Sequence, residues 1–337
     1  MYISALCASN QSEAMKKKIL FILCLIFAAA FAGAADIETG SDYYKEGEYE
    51  KALEIFQDPE NRNYAAIQYI LGNMYLKGQG VEKNCDQALD WYKKAADQQY
   101  AVAEFALGNL YRQGQCVSAD KSRAIAWYEK AGSRSHAAAY TEIGIMHMEG
   151  DGVLKDRKEA ARWFQKAADM GDPVAQCFLG RFYIKGTGVK KNYEKARQLL
   201  EKGAKQKDAC SMSYLAVIYH EGLGVPKNLE ESIILTKAAA EKGYAAAQYN
   251  LGRAYELGEG LPVNPAEALS WYKKAAENDN IRAMERLAEV YLFGQLGQAK
   301  DEAKGHQWQK RADKTRELRG EPKPTIASRG INRMLVD

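Results

Sequence analysis

The sequence predicts an all-α protein, a right-handed α-solenoid of stacked antiparallel helix pairs built on a 36-residue repeat. Three observations predict it. Windows starting at residues 65, 101, 137, 173, 209 and 245 align without insertion or deletion. Glycine recurs in one column at Gly72, Gly108, Gly144, Gly180 and Gly252, with Ala216 as the exception, and in a second at Gly78, Gly114, Gly150, Gly186, Gly222 and Gly258. Aromatic residues follow the first column at Tyr75, Tyr111, Tyr183, Tyr219 and Tyr255, with His147 in their place once. A period of this length marks a repeat architecture, because one unit cannot bury its apolar face alone and must stack on its neighbours.

Composition agrees. Of 337 residues, 47% are hydrophobic and 27% charged, which excludes a chain disordered throughout and a multi-spanning membrane protein. The 47 basic and 44 acidic residues give a net charge of +3, so no concentrated basic face is expected and no nucleic-acid partner.

The elements follow in chain order. Residues 1–14 precede a better start at Met15 and read as an upstream extension. Residues 15–34 have the layout of a secretory signal peptide, with Lys16 to Lys18, an apolar run from Ile19 to Phe31 and a small-residue end. That run of 13 residues is too short for a bilayer core of roughly 30 Å, which argues against the other reading, an uncleaved anchor. Cleavage after Ala34 would remove three Lys and one Glu and lower the net charge to +1. No integral membrane span is then expected, and the location is periplasmic or secreted. Residues 35–64 read as an N-terminal capping unit, 65–280 as six full repeats, 281–312 as an imperfect C-terminal repeat and 313–337 as a basic flexible tail.

Within a repeat the pattern is helix, turn, helix. In the first window Ala66, Tyr69, Ile70, Leu71 and Met74 form one apolar stripe, and Ala88, Leu89, Trp91, Tyr92, Ala95 and Ala96 form another. Gly78-Gln79-Gly80-Val81 lies between them, and glycine supplies the positive φ that ends a helix. Gly72 sits inside the first helix, where glycine costs about 1 kcal/mol relative to alanine. Its recurrence predicts an approach too close for a Cβ, with the aromatic columns as wedges between helices.

These columns resemble the Sel-one-like repeat family, a relative of the tetratricopeptide repeat, whose pattern is A-x-A-x-x-x-L-G-x-x-Y, then G-x-G-V, then A-x-x-W-Y-x-x-A-A. The resemblance covers residues 65–280 closely, and Tyr291, Gly294, Trp308 and Ala312 continue it with one inserted residue. Upstream, DYYKEGEYEKALEIF at 42–56 is similar to a tetratricopeptide unit lacking the longer loop, as suits a cap. The resemblance implies a protein-binding scaffold.

Nothing in the sequence supports catalysis. His136, His147, His220 and His306 are isolated, and no HExxH, CxxC, GxxxxGK[ST] or GxSxG motif occurs, so no metal, cofactor or nucleophile is expected. Export permits disulfides. Cys85 and Cys116 are 31 residues apart and Cys177 and Cys210 are 33 apart, each a little under one repeat, which places each pair on adjacent units. Cys116 also replaces the second loop glycine. The cysteines are read either as two bridges or as four buried small hydrophobes. The closely spaced cysteine pairs of disulfide-rich family members, seven or eight residues apart, are absent here.

By resemblance to tetratricopeptide modules the first helices line a concave groove. The matching positions are Tyr69, Phe105, Thr141, Ser213 and Tyr249, then Asn73, Asn109, Arg181 and Arg253, then Arg112, His220 and Glu256. Asn and Arg can hydrogen-bond a peptide backbone or a carboxylate, and Tyr offers area at little rotamer cost. A merely solvated face is the competing reading. The function expected is an exported, monomeric, non-enzymatic scaffold that holds a peptide or protein segment in this groove, for envelope assembly, signalling regulation or host interaction. The alternatives are a cell-wall glycan binder or a β-lactam-binding or β-lactam-hydrolysing enzyme.

Overall fold

The structure, a computed structural model, describes residues 36–321, so the signal-peptide segment and most of the expected basic tail lie outside the described residues. The described residues form sixteen helices and no strand. The chain divides into two compact units, Met1–His136 and Ala137–Asp337. In the first unit α1 (residues 36–46) and α2 (Tyr49–Gln57) precede two helix pairs, α3 (Ala65–Lys77) with α4 (Cys85–Asp97) and α5 (Ala101–Gln113) with α6 (Lys121–Ser133). The second unit begins with α7 (Ala137–Glu149), α8 (Arg157–Asp169), α9 (Pro173–Lys185), α10 (Tyr193–Lys205) and α11 (Ala209–Glu221). It continues with α12 (Leu229–Glu241), α13 (Ala245–Leu257), α14 (Pro265–Glu277), α15 (Ile281–Phe293) and α16 (Glu302–Leu318). Within each unit consecutive helices pack against one another.

The repeat chemistry sets the helix ends. The first helix of a pair stops at a left-handed glycine, as at Gly78 with φ +71°. The second helix starts at Asn84, Asp120, Asp156, Asn192, Asn228, Asn264 or Asp301, each accepting a backbone N–H from its own first turn. Such a cap contributes about 1 kcal/mol. The same residues latch the turn through their backbone: Asn84 N–H donates to the carbonyl of Tyr75 at 2.9 Å, and Asp120 N–H to that of Tyr111 at 2.8 Å.

The helix glycines mark close approach, as expected, and the partner is a second-helix side chain. A Cβ on Gly72 would lie 2.7 Å from the Tyr92 ring, one on Gly144 2.6 Å from Phe164, and one on Gly252 2.8 Å from Tyr272. The fifth repeat carries Ala216 and, in the ring column, the smaller Thr236, which is buried. A second compensation occurs at Gly203, where a Cβ would lie 2.1 Å from Ser211 Oγ. Gly203 breaks the alanine column in the repeat before Ser211 breaks the next small-residue column.

The second loop glycine packs on the start of the preceding second helix. A Cβ on Gly80 would lie 2.6 Å from the Tyr49 backbone, and one on Gly188 2.1 Å from the Arg157 carbonyl oxygen. Cys116 holds the equivalent place in the second repeat with φ +64°, and its sulfur is bonded to that of Cys85, the first residue of α4, with Cα atoms 5.0 Å apart. The second disulfide, Cys177–Cys210, joins α9 to α11 with Cα atoms 5.9 Å apart.

The chain after residue 312 departs from the flexible tail expected. Helix α16 runs to Leu318, and Arg316, one of the supposed tail cations, is buried with its guanidinium 2.6 Å from Glu285 and 3.1 Å from Asp313. The helix persists because it completes the last pair by covering α15, burying Ala312 beside Met284 and Leu287. Among the described residues no helix is long and apolar enough to cross a membrane.

Candidate functional site

The first-helix face of the unit Met1–His136 repeats one arrangement twice. The Tyr69 ring lies 5.8 Å from Tyr92 and 5.9 Å from Tyr100, and the Phe105 ring lies 5.5 Å from Tyr128 and 4.6 Å from His136. The neighbouring asparagines are not free for a ligand. Tyr92 donates its hydroxyl hydrogen to Asn73 Oδ1 at 3.0 Å, and Tyr128 donates to Asn109 Oδ1 at 2.7 Å. Each bond ties the second helix of a pair to the first, and burial pushes the Tyr92 hydroxyl pKa well up, keeping it a donor. Arg112 stands in the last turn of α5, where its carbonyl accepts a hydrogen bond from Lys121 at 2.7 Å.

The unit Ala137–Asp337 holds the other expected residues in three places. The Arg181 guanidinium lies over the Tyr214 ring at 5.0 Å and over Phe178 at 5.7 Å. Nearby, Tyr244 donates to Cys210 Sγ at 3.6 Å, so the second disulfide lies among these rings on the first-helix face. His220 is buried between Glu221, 3.0 Å from Nδ1, and Glu259, 3.3 Å from Nε2. Tyr249, Arg253 and Glu256 fall at i, i+4 and i+7 of α13 and share one stripe. There the Tyr249 ring packs 5.6 Å from Tyr272, whose hydroxyl donates to Glu256 at 2.6 Å. Thr141 and Ser213 are buried and offer little to a partner.

A residue absent from the expected set closes this cluster. Arg286 of α15 donates to Glu256 through Nε at 3.2 Å and through Nη2, and to Glu289 and Gln295 through Nη1 at 2.9 and 2.7 Å. Burial alone would raise the Glu256 carboxyl, but Arg286 and the Tyr272 hydroxyl hold it below the usual carboxylate range. Burial raises the Tyr249 hydroxyl, which stays protonated beside Arg253, Arg282 and Arg286. Arg286 was legible only as a residue outside the strict windows, in the unit where the alignment loosens.

Cys177, Asp208 and Cys210 cluster closely enough to suggest a metal site. Their donors are already engaged, since the two sulfurs are bonded to each other and Asp208 accepts the Ser211 N–H at 2.7 Å to cap α11.

The Sel1 repeat profile matches residues 65–100, 101–136, 137–172, 173–208, 211–244, 245–280 and 281–312. The crystal structure of a protective antigen of uropathogenic Escherichia coli strains displaying an SLR fold is similar at 32% identity and a TM-score of 0.66, over 84% of this chain and 61% of that one. This chain thus spans under two thirds of that relative. A Sel1 repeat protein from Oxalobacter formigenes is 36% identical with a TM-score of 0.55, over 82% of this chain and 99% of its own. No curated protein matches the sequence. With the profile matched over most of its length and the paired helices arranged as in these structures, the chain belongs to the Sel1 repeat family of interaction scaffolds.

Proposed function

We infer that the protein is an exported, non-enzymatic scaffold that binds a peptide or protein segment along the first-helix faces of its repeats. The observation that carries this reading is the recurring braced ring. Tyr69, Phe105 and Tyr249 are each half-buried and held against a second-helix tyrosine, Tyr92, Tyr128 and Tyr272. An aromatic ring fixed in this way offers contact area with little further rotamer entropy to lose, which is what an anchor residue of an interface needs.

Export is supported by the signal-peptide layout of residues 15–34 and by the two disulfides, which suit an oxidising compartment. A 32% identical relative is a protective antigen, which is in keeping with a protein that leaves the cytoplasm.

The test places a photo-crosslinking amino acid at Phe105 or Tyr249 in living cells, with Lys93 on the exposed side of α4 as control. Discrete crosslinked protein bands from the first two positions and none from Lys93 are expected. Equal labelling from all three would overturn the reading. Amino-terminal sequencing of the exported protein should begin at Ala35.

A further inference from the structure

The sixth repeat departs from the hydrogen-bond pattern of the first two. At the position after the helix glycine, Asn73 and Asn109 accept the hydroxyl of the paired tyrosine. The sixth repeat has Arg253 there, and its paired tyrosine, Tyr272, donates one turn further on to Glu256. The side chain that the pattern would have used is thereby released from the lock between the helices. Arg253 is only 7% exposed, yet among the described residues it makes no hydrogen bond or ion pair. It feels Tyr249 and Glu256 only through longer-range electrostatics.

An arginine stays charged at any physiological pH, and a guanidinium that no protein group holds keeps its planar donors for a ligand. Glu256, which attracts Arg253 at longer range, has its hydrogen bonds to Arg286 and Tyr272. Arg253, Arg282 and Arg286 all act on the Tyr249 hydroxyl, and Arg286 is shared between Glu256 and Glu289. That hydroxyl makes no hydrogen bond among the described residues and lies one helical turn before Arg253 on the same stripe.

We propose that Arg253, with Tyr249 beside it, binds a carboxylate carried by the segment that docks on this face; the proposal rests on the peptide-binding reading above. The planar guanidinium matches a carboxylate in a two-pronged geometry, and the tyrosine hydroxyl adds a neutral donor. A single negative charge suits the place better than a phosphate dianion, which would be repelled by the nearby Glu256 carboxylate. The carboxylate can belong to an Asp or Glu side chain or to a chain terminus.

The test is a selection of random octapeptides on the full-length protein, displayed in one arm with a free C-terminal carboxylate and in the other within a loop. Enrichment of Asp or Glu in both arms assigns a side-chain carboxylate; enrichment only of free ends assigns the terminus. Selected peptides should bind R253Q roughly ten- to a hundredfold more weakly. They should bind R253K with an intermediate loss and Y249F a few-fold more weakly, and each variant is checked for unchanged helical content. Peptides that dock on this face without carboxylate enrichment, or that bind R253Q undiminished, would overturn the carboxylate assignment while leaving the peptide-binding reading intact. Failure to select any peptide would overturn both.

Discussion

Gly108 faces Tyr128 so closely that a Cβ on the glycine would lie 2.5 Å from the ring. The ring is fully buried and its hydroxyl is tied to Asn109, the residue after the glycine, so it cannot swing aside without breaking that bond. Gly108→Ala should gain about 1 kcal/mol in helix propensity and lose about 1–3 kcal/mol to overpacking, a net destabilisation seen as a lower urea midpoint. The fifth repeat, with Ala216 and Thr236, indicates the remedy. In the G108A background Tyr128→Thr should cost at least about 1 kcal/mol less than it does alone, and a double-mutant cycle with strictly additive energies would refute the coupling.

Cys116 stands in a left-handed backbone conformation that glycine holds in the other repeats. With the bridge removed by Cys85→Ala, Cys116→Gly should be more stable than Cys116→Ser by about 1 kcal/mol, since only the glycine is at ease there. Thermal melts of the two double variants decide the order.

Glu256 supplies the acid limb of stability around the α13–α15 contact. Its carboxyl lies below the ordinary value of 4.5, with Arg286 and Tyr272 outweighing burial. The folded state therefore gains from Glu256 above about pH 4.5 and loses that gain as pH falls through the lower folded value. In Glu256→Gln this part of the pH dependence should vanish, and at pH 7 the variant should lose about 1–3 kcal/mol because Arg286 keeps its charge with one partner fewer. Urea midpoints from pH 7 down to pH 3 measure both effects, and an unchanged acid slope would contradict the assignment.

Arg316 anchors the last helix through Glu285 and Asp313. Arg316→Ala should cost about 1–3 kcal/mol, felt locally. Hydrogen exchange should rise along α16 while α9 and α10 keep their protection. Uniform loss across the unit would show that α16 is not a separable end.

Much of this architecture is legible in the sequence because a repeat writes each structural demand several times. The 36-residue register, the loop glycines and the close approach at Gly72 and its equivalents recur as columns, and the cysteine spacings point to adjacent units. The second-helix caps from Asn84 to Asp301 recur as well, but as an Asn/Asp alternation in loop sequence they are easily passed over. The roles of Asn73 and Asn109 were not legible. Their spacing puts them on the expected groove face, whereas their hydrogen-bond partners come from the other helix of the pair, and only the packing shows which way a hydroxyl donates. Arg286 and Arg316 were missed for a related reason: both lie where the repeat loosens, so no column singles them out, and their worth comes from Glu256 and Glu285 across the helix contact.

The two sulfur links also bear on how the chain would respond to pulling. Cys85–Cys116 encloses a sequence separation of 31 and Cys177–Cys210 one of 33. Stretched, a segment of either size would yield on the order of 100 Å of contour at about 3.5 Å per residue. While the sulfurs stay joined that length is withheld even if the helices inside melt. Under tension the oxidised protein would therefore be a shorter tether than the reduced one, and the oxidation state of four cysteines would decide how far its ends can be drawn apart.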